Sequence, residues 1–303
     1  MDMNPEVLEK YRKAGEISSQ IRKEVVEMIK PGMKILDLAE FIENRILQLG
    51  GKPAFPVNIG INEVTAHYTP KFDEAMSIKP GDLVKIDHGI HVDGWVADMA
   101  YTYCSEKNEL ISVAEKALSA GIKVIKPGLK ISEIGKAINE TIESSGLGVI
   151  VNLTGHGLDQ YVIHGPPTIP NIINDSREEL MEGDVIALEP FVCERNGYVK
   201  ESEPVEIFSF LQPKPARLPE ARIILEMAAD EYMGLPFCRR WLVKKGLSPF
   251  KTSFALRQLE MGESIRSYPV LKERSGMRVA QAEHTIIVME KPIVITSRCV
   301  SQT

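Results

Sequence analysis

No C-x-x-C pair and no long apolar run occur in this chain. Its four cysteines, Cys104, Cys193, Cys238 and Cys299, stand far apart, which excludes a zinc knuckle or a dithiol redox centre and fits reduced thiols. From Met1 to Lys30 charged residues interrupt the apolar ones at helical spacing. Neither a signal peptide nor a spanning helix is encoded there, and a cytoplasmic protein with no membrane association is expected. A strong charge bias is missing as well: 36 basic residues against 42 acidic ones leave a net charge of -6, which gives no footprint for nucleic acid or an anionic membrane. One short basic run, Arg239, Arg240, Lys244 and Lys245, reads as a solvated helix face. What remains is an ordinary globular composition, 44% hydrophobic over 303 residues, enough for a large core.

The chain repeats itself. Two helices are expected from Glu6 to about Gly50, broken at Lys30-Pro31-Gly32. The phrase Ile29-Lys30-Pro31-Gly32-Met33-Lys34-Ile35 returns 96 positions later as Ile125-Lys126-Pro127-Gly128-Leu129-Lys130-Ile131. Gly81 to Asp87 returns 102 positions later as Gly183 to Glu189, and His67-Tyr68-Thr69-Pro70 is echoed by His164-Gly165-Pro166-Pro167. Three matches in order at nearly one offset describe two diverged α/β halves. If the halves pair about a pseudo-twofold axis, His67 and His164 are equivalent, as are Asp87 and Glu189, and these four polar residues converge. The segment from 213 to 275 has no counterpart in the first half, carries helical runs such as Glu220 to Met233, and reads as an insertion before a last strand from Val279 to Met289.

Leu83 to His91 and Trp95 to Tyr103 read as strands joined at Asp93-Gly94, a two-residue hairpin signal. Paired positions then add to 187, so Asp98 faces Gly89 and Asp87 lies two residues along the same face. Two buried aspartates on one face repel each other unless a cation neutralises them. His156 between two glycines, Glu189 before Pro190, and Glu283 within an apolar strand can add ligands. One imidazole among four carboxylates suits divalent manganese, iron, cobalt or zinc rather than copper or a closed thiolate site. Asp82, Asp93 and Asp184 read as turn residues. Strand alternation turns His88 and His284 to the opposite face, and His91 lies farther along the hairpin.

Ala54-Phe55-Pro56, Ala66-His67-Tyr68-Thr69-Pro70, Lys85-Ile86-Asp87-His88-Gly89, Asp98, Gly155-His156-Gly157, Ile163-His164-Gly165, Leu188-Glu189-Pro190-Phe191 and Gln281-Ala282-Glu283-His284-Thr285 together resemble the type 2 methionine aminopeptidases, in their short archaeal form. Asp98 follows Asp87 by eleven positions and His164 follows His156 by eight, and the likeness runs along essentially the whole chain.

That resemblance implies the pita-bread fold, with pseudo-symmetric halves in a single catalytic domain over 1–303 and a helical, winged-helix-like subdomain at 213–275. It implies two divalent metal ions. Asp87 would bind one, Asp98 and Glu283 would bridge both, and His156 and Glu189 would complete the other, with Glu189 also relaying a proton. It further assigns His67 and His164 to the substrate backbone and the tetrahedral intermediate, and Phe55, Ile163 and Tyr268 to the border of a methionine pocket. The expected substrates are nascent polypeptides with an N-terminal methionine and a small second residue, and the expected state is a monomer. A basic N-terminal extension of the eukaryotic kind is not expected. Two relatives of the same fold compete with this reading: an X-Pro-cleaving peptidase, and a non-catalytic binding protein that has lost ligands. Nucleic-acid binding through the insertion is a weaker third.

Overall fold

The computed structural model describes residues 3–297. Helix α1 (Pro5–Met28) starts where the Asn4 side chain accepts from the Glu6 amide at 2.9 Å and Pro5 presets the first turn. It buries one face, including Ile17, Ile21 and Val25, and is followed by α2 (Ile35–Gln48). The second half opens in the same way with α3 (Glu109–Val124), capped by Asn108, and α4 (Ile131–Glu143).

The repeat read from the sequence is a repeat of hydrogen bonds. At the turn between the helices of each half, Gly32 and Gly128 adopt positive φ, and their amides donate to Ile78 and Leu180, each at 2.8 Å. Neither α2 nor α4 has a side-chain cap. The Ile35 amide donates instead to the Met76 carbonyl, and the Ile131 amide to that of Glu178. Asp82 and Asp184 are the expected turn residues, each accepting from a backbone amide three residues earlier.

In the first half, β4 (Val84–Val92) carries β1 (Lys52–Pro53) and β2 (Asn58–Ile61) on one edge and β5 (Trp95–Tyr103) on the other, with β3 (Val64–Ala66) following β2. In the second half, after the short β6 (Gly148–Val149), β7 (Thr154–Asp159) pairs with β8 (Val162–Pro170) and with β9 (Val185–Leu188). Pro190 breaks what is one strand in the first half, so that β9 gives way to β10 (Phe191–Cys193) in another sheet. Two apolar clusters follow the helix pairs, one gathered under α1 and α2 and reaching Val185, Ala187 and Ile287 of the second half, the other under α3 and α4 and taking in Leu83 of the first.

Beyond β11 (Val199–Phe210), the chain forms α5 (Pro219–Glu226), a π-helical turn at Met227–Glu231, β12 (Phe237–Cys238), α6 (Arg239–Lys244) and α7 (Pro249–Met261). It returns along β13 (Ile265–Glu273), which pairs with β11 and, at its far end, with β3 of the first half. These helices enclose a separate apolar cluster that includes Ile224, Phe237, Leu242 and Leu256.

Two expectations need correction. The basic run is a solvated face only in part: Lys244 and Lys245 are exposed, but Arg240 is fully buried, and its guanidinium donates to both carboxylate oxygens of Glu43 at 2.6 and 2.7 Å and to the Pro70 carbonyl. Arg239 and Lys244 face Glu206 and Glu40, and Lys245 pairs with Glu231. Nor is Val279 to Met289 a single strand. It divides into β14 (Ala280–Gln281) and β15 (His284–Ile287), followed by β16 (Ile293–Val294), because the Ala282 amide turns to the Pro190 carbonyl while the Glu283 amide turns to that of Ala100. Among the described cysteines Cys104, Cys193 and Cys238 are free thiols, and Cys299 lies outside the described residues.

Candidate metal centre

The hairpin register holds: Asp98 pairs with Gly89 and Asp87 with Ala100, so both carboxylates leave the same face. Gly89 is required there by a close approach, since a Cβ would stand 2.2 Å from the Phe55 ring, which takes the vacant space. His156 sits on β7 rather than in a loop, and its glycine neighbours permit tight packing: a Cβ on Gly157 would lie 1.8 Å from the Pro166 carbonyl oxygen.

Glu283 reaches the same place by lacing the halves together. Along β5, Thr102, Ala100 and Asp98 meet Gln281, Glu283 and Thr285 in turn. The Thr285 hydroxyl accepts from the Asp98 amide at 2.7 Å and donates to the Asp98 carbonyl at 2.8 Å, and Thr102 does the same for Gln281. These two threonines fix the backbone on which Asp98 and Glu283 stand, and composition alone does not mark them. Gln281 goes further: its side-chain amide donates to Glu189 Oε2 at 3.1 Å, leaving Oε1 facing His156 Nε2 at 3.5 Å.

Asp98, His156 and Glu283 each offer one ligand atom, and these atoms lie within 4.8 Å of one another. Asp98 and Glu283 are almost completely buried, yet Asp98 Oδ1 and Asp87 Oδ1 have no hydrogen-bond partner among the described residues. Burial, compounded by the charges of the neighbouring carboxylates, raises Asp87, Glu189 and Glu283 well above the usual carboxylate range. Burial pushes Asp98 up to about 7. The same burial pushes His156 down to about 4, so its imidazole is neutral. With its Nδ1–H toward the Gly157 carbonyl, Nε2 presents a lone pair. Four acidic groups that cannot all ionise unaided, two orphaned carboxylate oxygens and a neutral imidazole fit divalent cations.

All the residues assigned from the sequence, Phe55, His67, Ile163, His164 and Tyr268 included, line one cavity of about 370 Å³ with the acidic cluster. His67 has a positive φ of 61°, an uncommon conformation for a non-glycine residue, and its Nδ1 lies 3.2 Å from the Pro269 carbonyl. A carbonyl only accepts, so Nδ1 carries the proton and Nε2 is an acceptor. His164 stands edge-on to His156, with ring centres 4.6 Å apart, and its accessible surface faces the cavity. Tyr268 leans on both His67 and His164. His88, His91 and His284 are engaged elsewhere, with Ser18, the Gly94 amide and Thr296. Ile207 and Leu271, on the sheet that carries the insertion, add apolar walls not foreseen in the sequence, because only the β13 pairing with β11 and β3 brings them there.

The sequence pattern of metallopeptidase family M24 matches residues 9–289. The methionine aminopeptidase of Thermococcus onnurineus is 48% identical over 289 residues, covering 94% of this chain and 97% of that one. Among solved structures, a thermophilic Arx1 superposes with a TM-score of 0.83 at 18% identity, covering 97% of this chain and 91% of that one, a likeness of fold alone. The methionine aminopeptidase of Thermotoga maritima superposes with a TM-score of 0.68 at 25% identity, covering 98% of each chain. The architecture is therefore the pita-bread fold of these relatives.

Proposed function

The chain belongs to metallopeptidase family M24, and we propose that the activity it shares with its relatives, hydrolytic removal of an N-terminal methionine, runs through two divalent ions held by Asp87, Asp98, His156, Glu189 and Glu283. The observation that carries this reading is the convergence of Asp98, His156 and Glu283 within 4.8 Å in a cavity where buried carboxylate oxygens lack partners. When bound, such ions lower the pKa of a water and polarise the scissile carbonyl. Cobalt, manganese, iron and zinc all suit this donor set.

The protein's own groups do the rest. Glu189, held by Gln281, takes a proton from the attacking water and returns it to the leaving amine as the C–N bond breaks. His67 Nε2, an acceptor, suits a peptide N–H of the substrate. His164 is placed to donate to the oxygen that gains charge in the tetrahedral intermediate. Phe55, Ile163 and Tyr268 border an apolar recess for the methionine side chain, and the second residue is small. One methylene more or less in such a recess changes binding by only about 1–3 kcal/mol, so leucine and norleucine compete measurably.

On this reading the enzyme acts in the cytoplasm, as a monomer, on new polypeptides, and 213–275 is an insertion subdomain inside one catalytic domain. No helix among the described residues is long and apolar enough to cross a membrane. The manganese-loaded protein should release free methionine from Met-Gly-Met-Met and leave X-Pro peptides uncut. Release of X from X-Pro without methionine release would overturn the reading.

A further inference from the structure

A second cavity of about 370 Å³ opens between α2, β1 and the inserted helices, sharing only Pro236 with the lining of the catalytic one. Its volume is in the range of small-molecule sites. One wall is apolar and aromatic: Leu47, Leu235, Tyr232 and Trp241, the two rings 5.7 Å apart. The lining also holds a cross-strand pair, Lys52 on β1 directly opposite His91 on β4.

His91 is only 7% exposed and packs edge-on against Tyr161, yet one ring nitrogen has no hydrogen-bond partner among the described residues. Nδ1 accepts from the Gly94 amide at 3.0 Å, so the neutral ring carries its proton on Nε2, which has no acceptor among the described residues. Burial, aided by the Lys52 charge beside it, pushes His91 down to about 4, so this neutral donor form prevails near pH 7. Lys52 is exposed and has no anionic partner among the described residues. The acids around the cavity are already engaged, Glu43 by Arg240 and Glu231 by Lys245. The site therefore has a cation and an N–H donor side by side, neither with an acceptor among the described residues, and a lining of apolar and aromatic side chains in which Lys245 lies over the Tyr232 ring.

We propose that this cleft binds a small aromatic carboxylate, its anionic end on Lys52 and His91 and its ring against Trp241 and Leu235. The seat lies where the insertion meets the catalytic domain, behind the wall at Pro236.

Equilibrium dialysis of the manganese-loaded chain against 1-naphthylacetate tests this. One saturable site is expected, weakened at least tenfold by Lys52→Glu and by Leu47→Asp, and also weakened at least tenfold when the probe is the uncharged 1-naphthylacetamide. Both variants change exposed residues outside the catalytic cavity, so methionine release should be unchanged in them. Absence of saturable binding overturns the proposal. So does binding that both variants leave undiminished, which would put the carboxylate on the metal centre instead.

Discussion

Two places in this molecule bury several charges at once, and they solve the problem in opposite ways. Where the insertion meets the first half, Arg240 and Glu43 are sealed from water, but the two guanidinium nitrogens bond both carboxylate oxygens, and the backbone of Pro70 and the hydroxyl of Thr69 take up further donors. In the catalytic cavity four carboxylates face one another with a neutral histidine, and two of their oxygens have no partner among the described residues. The first arrangement is complete without any further group; the second is complete only with cations. Satisfied buried charge here marks a joint, and unsatisfied buried charge marks a site.

The comparison breaks hardest at the acidic cluster. Asp98→Asn or Glu283→Gln should remove nearly all methionine release, several kcal/mol of transition-state stabilisation or roughly a thousandfold, because an amide supplies neither the charge nor a second ligating oxygen. Steady-state rates at matched metal, with bound metal assayed in parallel, check this, and turnover within a few-fold of the unaltered enzyme would contradict it. Without metal the substitutions should not lower the melting temperature, and with manganese they should lose the gain that the ions give the unaltered chain.

Arg240→Met should do the reverse. It strands the Glu43 carboxylate and should cost about 3–5 kcal/mol in denaturant unfolding, while the protein that remains folded turns over normally. Adding Glu43→Leu should recover much of that loss; no recovery would mean that the pair is not what joins the insertion to the first half.

At His67 the effect is smaller and of another kind. His67→Ala should lower kcat/KM roughly ten- to a hundredfold, the cost of leaving one substrate N–H unpaired, while two manganese ions still bind in a calorimetric titration. Loss of one ion would move His67 into the metal shell.

How much of this was legible in the sequence depended on how locally each feature is encoded. The hairpin register at Asp87 and Asp98 follows from Asp93-Gly94, and the two halves follow from phrases that carry the same turn hydrogen bonds in both copies. Arg240 looked like its neighbours in a basic run, because burial by Glu43, nearly two hundred positions away, leaves no local trace. The division of the last strand at Ala282 was equally hidden: Pro190 and Ala100, from different halves, compete for successive amides of an alternating segment. The apolar recess was legible in part. Phe55 was named, but Ile207 and Leu271 enter through a sheet pairing between segments far apart in the chain.

The smallest expected effect is on pH dependence. Raised carboxylates hold protons in the folded chain that the unfolded chain loses, so they lower stability as pH climbs from about 4 through the folded value of about 7 at Asp98. His156, depressed to about 4, acts oppositely, adding stability as pH rises from about 4 to its ordinary 6.5. Metal must displace the carboxylate protons, so the melting-temperature gain from manganese should grow between about pH 5.5 and 8. Subtracting the metal-free melting curve removes the other titrating groups, including Lys85, whose ammonium is pushed down to about 7 by burial. A gain independent of pH would remove proton competition from the account.

The central claim, that the unsatisfied acidic cluster exists to hold cations, is tested most directly by calorimetric titration of the metal-stripped chain with manganese near pH 7, repeated in buffers of different ionisation enthalpy. Two ions per chain are expected, each set of measurements agreeing on a net release of protons as the raised carboxylates ionise. Saturation without proton release, or no saturable binding while the fold stays intact, would contradict it.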